Sequence, residues 1–185
     1  VGAVGPLLVD PDSRASHGFH QARGVMWVRH PGTGSEPVEC AGLNGSGTFM
    51  RLDDFIGLGG LREGFFIDHV DTEWSFRMTA SGYRLFGVPD AVFFHRMGEA
   101  SRRVWLGQWR AWPVRSPIRH RYLFRNAVAL LRSRHAPLAW KAWAVPKLIL
   151  TAVAFAVSGP KRLSQLRNMC LGLLDGLIGR EGPLK

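Results

Sequence analysis

Charge divides this chain of 185 residues into two parts with different expected surroundings. Residues 1–100 hold eight Arg against twelve Asp and Glu, a net of −4, whereas residues 101–185 hold sixteen Lys and Arg against Asp175 and Glu181, a net of +14. Five of the seven Trp, at positions 105, 109, 112, 140 and 143, lie in the basic part. Basic residues mixed with Trp suit a bilayer surface, where anionic headgroups attract the charge and the indole sits at headgroup depth. They also suit nucleic acid, and charge alone does not choose. With 46% apolar and 21% charged residues, wholesale disorder is excluded. Cys40 and Cys170 fit no paired ligand spacing, so a zinc ribbon or a disulfide framework is not expected and a reducing compartment is. The opening Val1-Gly2-Ala3-Val4-Gly5-Pro6-Leu7-Leu8-Val9 carries no signal-peptide pattern and reads as a strand entered in mid-fold, as in a fragment of a longer protein.

Residues 1–9 read as a buried strand followed by the turn Asp10-Pro11-Asp12-Ser13. Residues 14–37, polar and Gly-rich, read as a long loop, and Val38 to Leu43 as a short strand. Asn44-Gly45-Ser46-Gly47 is a loop, and a short helix with Asp53 and Asp54 in its first turn follows. A helix is expected from Asp71 to Ser81, stopped by Gly82, and then two short strands, Tyr83 to Val88 and Ala91 to Phe94, joined by Pro89-Asp90. Beyond that the basic part reads as helical: Arg119 to Arg134, an apolar stretch over 138–158 broken by Lys141, Pro146 and Lys147, and a basic amphipathic helix through Leu163 to Leu177. The uncharged run Leu148 to Pro160 is 13 residues, short of the about 20 a spanning helix needs, so it reads as lying in a membrane plane or packed on a core.

The densest acidic cluster is Asp68-His69-Val70-Asp71-Thr72-Glu73-Trp74, directly after Phe65-Phe66-Ile67. Carboxylates this close, beside apolar groups, raise one another's proton affinity, and one so tuned can act as a general base toward a hydroxyl. The plainer alternative is a solvated helix N-terminus whose acids complement the macrodipole. His95, at the end of Ala91-Val92-Phe93-Phe94, is a metal ligand if carboxylates converge on it, and otherwise a hydrogen-bonded core histidine.

The run Phe66-Ile67-Asp68-His69-Val70-Asp71-Thr72-Glu73-Trp74-Ser75-Phe76-Arg77, with Ala80-Ser81-Gly82-Tyr83, Val88-Pro89-Asp90-Ala91 and His95-Arg96-Met97-Gly98, resembles family 2 glycosyltransferases, most of all the bacterial rhamnosyltransferase branch. The similarity extends to Val4 through Pro11, to the loop from Asn44 to Arg51, and to Ser116-Pro117 with Arg119, Tyr122, Arg125 and Asn126. The resemblance implies an α/β fold of the GT-A type, a mixed sheet between helices. Residues 1–100 would be the acceptor-side half of the catalytic domain, 101–136 a basic and aromatic connecting segment and helix, and 137–185 amphipathic, membrane-associated helices. It implies inverting transfer of a sugar, L-rhamnose from dTDP-rhamnose, to a hydroxyl of a glycan acceptor carried on polyprenyl diphosphate, in surface polysaccharide synthesis.

By the same resemblance Asp71 is the general base. Asp68, Glu73 and Trp74 shape the acceptor site, Trp74 offering a face to a sugar ring, and Gly45, Ser46 and Gly47 approach the substrates closely. His95 binds Mg²⁺ or Mn²⁺. The basic part, read from its own residues, offers Arg119, Tyr122 and Arg125 as contacts to diphosphate or lipid, the alternative being helices packed on the catalytic core or on another copy. The enzyme would work on the cytoplasmic side, peripheral to the inner face of the plasma membrane, with no nucleic acid partner. The family's nucleotide-binding strands and Asp-x-Asp lie upstream of the matched segment, so the chain alone is expected to be inactive; Asp10-Pro11-Asp12 reads as a turn rather than as that ligand pair. The competing class is a non-catalytic basic module that binds membrane or nucleic acid, with the acids serving only as a helix cap.

Overall fold

The computed structural model describes residues 1–12, 14–96, 100–105 and 109–184, with 100–105, 109–113 and 158 described by backbone alone. Met97 and Gly98, and the side chains of Arg102, Arg103, Trp105, Trp109 and Trp112, therefore lie outside the described residues. The chain forms an α/β layer with a mixed sheet, followed by helices. Strands β1 (Ala3–Val9), β4 (Val38–Cys40), β5 (Phe49–Met50) and β6 (Leu85–Phe94) make a sheet of order β4-β6-β1-β5. The central pair β1–β6 is parallel, and β4 and β5 flank it antiparallel.

The two strands expected on either side of Pro89-Asp90 are one strand. Pro6 pairs with Val88 and the next residue, Leu7, with Val92, so Pro89, Asp90 and Ala91 bulge out of the ladder. A bulge tolerates a proline, which has no N–H to give, without ending the strand. Residues 14–37 are also more ordered than a loop. They carry a hairpin, β2 (Phe19–Arg23) and β3 (Met26–His30), turning at Gly24-Val25. Phe19 is buried in the core, and Trp27 stacks on His20 at 5.5 Å and meets Phe76 edge-on at 6.0 Å. The segment preceding the third helix is extended too, a hairpin of β7 (Ala100–Trp105) and β8 (Trp109–Val114) where a connecting segment was expected.

Helices α1 (Leu52–Gly57) and α2 (Val70–Ala80) fall where the sequence places them. α2 is buried on two sides: Trp74 and Met78 join Ala3, Phe19, Cys40, Leu43 and Leu85 under the sheet, while Phe76 joins Phe65, Leu130, Trp140 and Ala144 on the other side. Burial in the first cluster pushes the Cys40 thiol up to about 12.

Three helices close the fold, α3 (Pro117–Arg132), α4 (Leu138–Ser158) and α5 (Arg162–Leu177). α3 starts on a Ser116 cap followed by Pro117, a favoured opening pair. α5 lies close along α3 because Gly172 and Gly176 face it: a Cβ at Gly172 would come within 3.0 Å of the Phe124 Cβ, and one at Gly176 within 2.6 Å of the Val128 Cβ. α4 runs unbroken through Pro146, and the Lys141 ammonium donates to the Ser133 carbonyl at 2.7 Å. By length and composition α4 could cross a membrane, yet one side of it packs on this core through Ala139, Trp140, Ala144, Ala154 and Phe155.

Candidate functional site

The chain enters α2 through a backbone that L-residues rarely adopt. Phe66, Asp68 and His69 have φ of 60°, 60° and 63°, directly after the 3-10 turn Glu63–Phe65. Such left-handed residues cost about 1–3 kcal/mol each and persist only where their surroundings hold them. α3 supplies the hold. The two N–H groups of the Asn126 amide are shared among the carbonyls of Phe65, Ile67 and Asp68, each at 2.9 Å, and the Arg125 guanidinium donates to those of Gly64 at 2.9 Å and Phe65 at 3.1 Å.

Asp71 stands in the first turn of α2, partly exposed. Its Oδ2 accepts the Gly45 N–H at 3.1 Å and its Oδ1 the Thr72 N–H at 2.9 Å. The carboxylate is thus fixed in direction while lone pairs stay available to an incoming hydroxyl. The loop that supplies Gly45 is itself tied to α2, since the Leu43 N–H donates to Ser75 Oγ at 3.1 Å. Within the loop, Asn44 Oδ1 takes the Ser46 N–H at 3.0 Å. Gly47, at φ 72°, lies so near the sheet that a Cβ would come within 2.8 Å of the Pro6 ring.

At the far end of this loop Ser46 Oγ is 3.3 Å from His95 Nδ1. His95 leaves β6 with its N–H on the Val9 carbonyl at 3.0 Å. Asp71, residues 44–47 and His95 therefore form one continuous bonded line, drawn from an α2 turn, a loop and a strand end. His17 lies within electrostatic reach of His95 without bonding to this line, and its Nε2 is buried with no hydrogen-bond partner among the described residues. Burial, then the positive field of His95 and Arg29, lowers the His17 pKa against the pull of Asp10. Asp10-Pro11-Asp12 forms the expected turn, the Asp12 N–H on Asp10 Oδ1 at 3.1 Å and the Asp12 carboxylate paired with Arg96 at 3.0 Å.

Other expected site residues stand elsewhere. Trp74 is 3% exposed, its ring 6.3 Å from Phe55 inside the core, and it has no open face for a sugar. Glu73 and Asp71 are two residues apart on a helix and so point to different sides; Glu73 is buried against Arg77, with bonds of 2.8 and 3.2 Å. Asp68 sits between Arg119 at 3.1 Å and Arg115 at 3.7 Å, turned toward the start of α3. Burial lowers the pKa of Arg115, and Asp68 opposes that shift.

Tyr122 is buried, its hydroxyl accepting the Leu184 N–H at 2.7 Å. Arg125 is 1% exposed, with the Tyr122 ring 4.8 Å away and its donors spent on backbone carbonyls and Asn126. Neither can reach a diphosphate or a lipid, because a guanidinium whose donors are satisfied internally has none left to offer. Of the three expected contacts only Arg119 keeps an accessible edge. A separate cavity of about 400 Å³ lies between the end of α3 and the turn after α5, lined by Arg62, Arg132, Arg134 and Arg180.

His95 can offer an imidazole nitrogen to a divalent cation, but among the described residues no three His, Cys, Asp or Glu side chains converge. These residues alone do not form a cation site.

No protein-family model matches the chain. It is similar to the dTDP-rhamnosyl transferase RfbF of Shigella flexneri, 29% identical over 97% of this chain and 60% of that protein. It is also similar to the N-acetylglucosaminyl-diphospho-decaprenol L-rhamnosyltransferase of Mycobacterium tuberculosis, 28% identical over 74% of this chain and 58% of that protein. The resemblance to rhamnosyltransferases read from the sequence is borne out, and the chain spans no more than 60% of the length of either relative.

Proposed function

We propose that this chain is the acceptor-side part of an inverting glycosyltransferase of family 2, moving L-rhamnose from dTDP-rhamnose to a hydroxyl of a glycan carried on polyprenyl diphosphate. The observation that carries the reading is the bonded line from Asp71 through residues 44–47 to His95, which joins the expected base, substrate loop and histidine in one place. The rhamnosyltransferase names of both relatives support the sugar, and the diphospho-decaprenol in the name of the second supports the lipid carrier.

In this reading Asp71 accepts the proton of the acceptor hydroxyl as the oxygen forms its bond to the anomeric carbon. The bond from that carbon to the nucleoside diphosphate breaks on the opposite face, and configuration inverts. The Gly45 and Thr72 N–H groups hold the carboxylate in line with the approaching hydroxyl. Arg119, partly exposed near the start of α2, is placed to meet negative charge on a substrate. His95 would give one nitrogen to Mg²⁺ or Mn²⁺, the remaining ligands coming from the donor diphosphate and from outside the described residues.

The outer faces of α4 and α5 support a peripheral place on the cytoplasmic face of the plasma membrane. Trp143, Ile149, Val153, Val157 and Leu163 are exposed there, beside Lys161, Arg162 and Arg167.

The test is Asp71→Asn in the full-length enzyme, assayed with dTDP-rhamnose. Turnover should fall by about 10²–10⁴, the contribution of a positioned general base, with donor KM retained. Wild-type turnover in a folded variant removes Asp71 as the base, and no turnover in the wild-type enzyme itself favours the non-catalytic module.

A further inference from the structure

We infer that Asn126 is the positioning residue for Asp71, acting through the carbonyls of the left-handed loop; this rests on the reading of Asp71 as the base. The loop from Phe65 to His69 ends two residues before Asp71, so its path fixes where α2 begins and where the carboxylate points. Phe66, Asp68 and His69 are all at positive φ, which costs free energy that the loop's own bonds, Phe66 N–H to the Glu63 carbonyl at 3.0 Å and Ile67 N–H to the Phe65 carbonyl at 2.7 Å, must share in offsetting. The loop holds its shape because Asn126 Nδ2 stands within 2.9 Å of three of its carbonyl oxygens at once.

The chemistry fixes the orientation of that amide. One end meets only carbonyl acceptors, and the other, Oδ1, meets only a donor, Arg125 Nε at 3.0 Å. An aspartate of the same shape would set an acceptor against three acceptors, and a leucine would offer them no donor, leaving the Phe65 carbonyl with only its other bonds. Asn126 also shares a face of α3 with Arg119, seven residues before it, whose guanidinium grips the Asp68 carboxylate of the same loop at 3.1 and 3.3 Å. One helix face thus holds the loop by backbone and by side chain. The signal in the sequence is an Arg125-Asn126 pair, fully buried, between Phe124 and Ala127.

A residue that merely stabilises the fold would change how much enzyme is folded, not how fast each folded molecule turns over. The experiment therefore uses the full-length enzyme in four forms: wild type, Asn126→Ala, Asp71→Asn and the double variant. Turnover is normalised to the folded fraction from circular dichroism at the assay temperature. Asn126→Ala should lower kcat by about 10- to 100-fold, in the range that a misplacement of around 1 Å produces, with donor KM little changed. The double variant should be no slower than Asp71→Asn alone, because the loop matters only through that carboxylate. Amide hydrogen exchange at residues 66–72 should quicken in Asn126→Ala while that of α5 does not.

If Asp71→Asn is slow but Asn126→Ala turns over normally, this inference fails and the assignment of the base survives. If Asp71→Asn is itself normal, the assignment of the base fails first. Additive losses in the double variant would overturn the positioning role. Should Asn126→Ala not fold, Asn126→Ser, which keeps one donor, takes its place; failure of both to fold would show Asn126 to be a fold residue only.

Discussion

Replacing Glu73 by Gln separates the two roles that this residue has been given, acceptor-site carboxylate or buried ion-pair partner. The Glu73 and Arg77 side chains are 8% and 16% exposed, and two bonds of 2.8 and 3.2 Å join them. Arg77 also donates to the Leu58 carbonyl and, at 2.7 Å, to that of Gly60. Removing only the negative charge leaves the guanidinium buried with carbonyls for company. Breaking a buried pair from one side costs about 3–5 kcal/mol. The remaining carbonyl bonds and the retained Gln acceptor place the loss at the low end, about 3 kcal/mol. For a domain of this size that is a fall in Tm of roughly 6–12 °C.

Urea unfolding followed by Trp fluorescence reads the loss as a lower midpoint at unchanged slope. Glu73→Met with Arg77→Met should recover most of it, because desolvating the pair offsets much of its attraction. A loss under about 1 kcal/mol for Glu73→Gln would refute the reasoning. Glu73 would then sit in water, free to face a substrate.

His69 and His120 are both held below the ordinary histidine pKa by burial, so the unfolded chain binds protons that the folded one refuses. Their contribution to stability is complete above about pH 6.5 and is lost as pH falls through the lowered folded-state values. The slope for each histidine is bounded by about 1.4 kcal/mol per pH unit; His120→Phe, measured by urea unfolding from pH 7.5 to 5, should lower the total slope, and an unchanged slope counts against it. The full-length protein should sediment with vesicles containing anionic lipid at low salt and come off as salt is raised. Val153→Glu should weaken that association at least tenfold, and no binding at low salt would count against membrane docking.

The candidate site, whose roles rest on the resemblance, was legible in the sequence where it depends on neighbouring residues. Asp71 in the first turn of α2, the small-residue loop at 44–47 and His95 after a strand were all visible as local patterns, and the structure brings the three together. Residues whose surroundings come from distant segments were not legible. Trp74 and Tyr122 are amphipathic side chains that could equally well face a ligand or a core, and only the packing of α2 under the sheet and of residue 184 against α3 puts them inside. Arg125 looked like a phosphate contact for the same reason. Its partners, the carbonyls of 64, 65 and 182, are some 60 residues away in the chain.

The fold divides in the same manner. Period and punctuation by themselves determined α1, α2, α3 and α5, because helix bonds close within four residues and their start and stop signals are adjacent in sequence. The hairpin over 19–30, the joining of β6 across its bulge and the continuity of α4 through Pro146 were decided only in three dimensions. A strand is completed by a partner elsewhere in the chain, and Pro146 stays within a helix anchored on either side of it by the buried Trp140, Ala144, Ala154 and Phe155. The left-handed path into Asp71 belongs to this second kind: Asp68 and His69 tolerate positive φ better than most residues, but Phe66 does not, and α3 holds the whole path through Asn126 and Arg125.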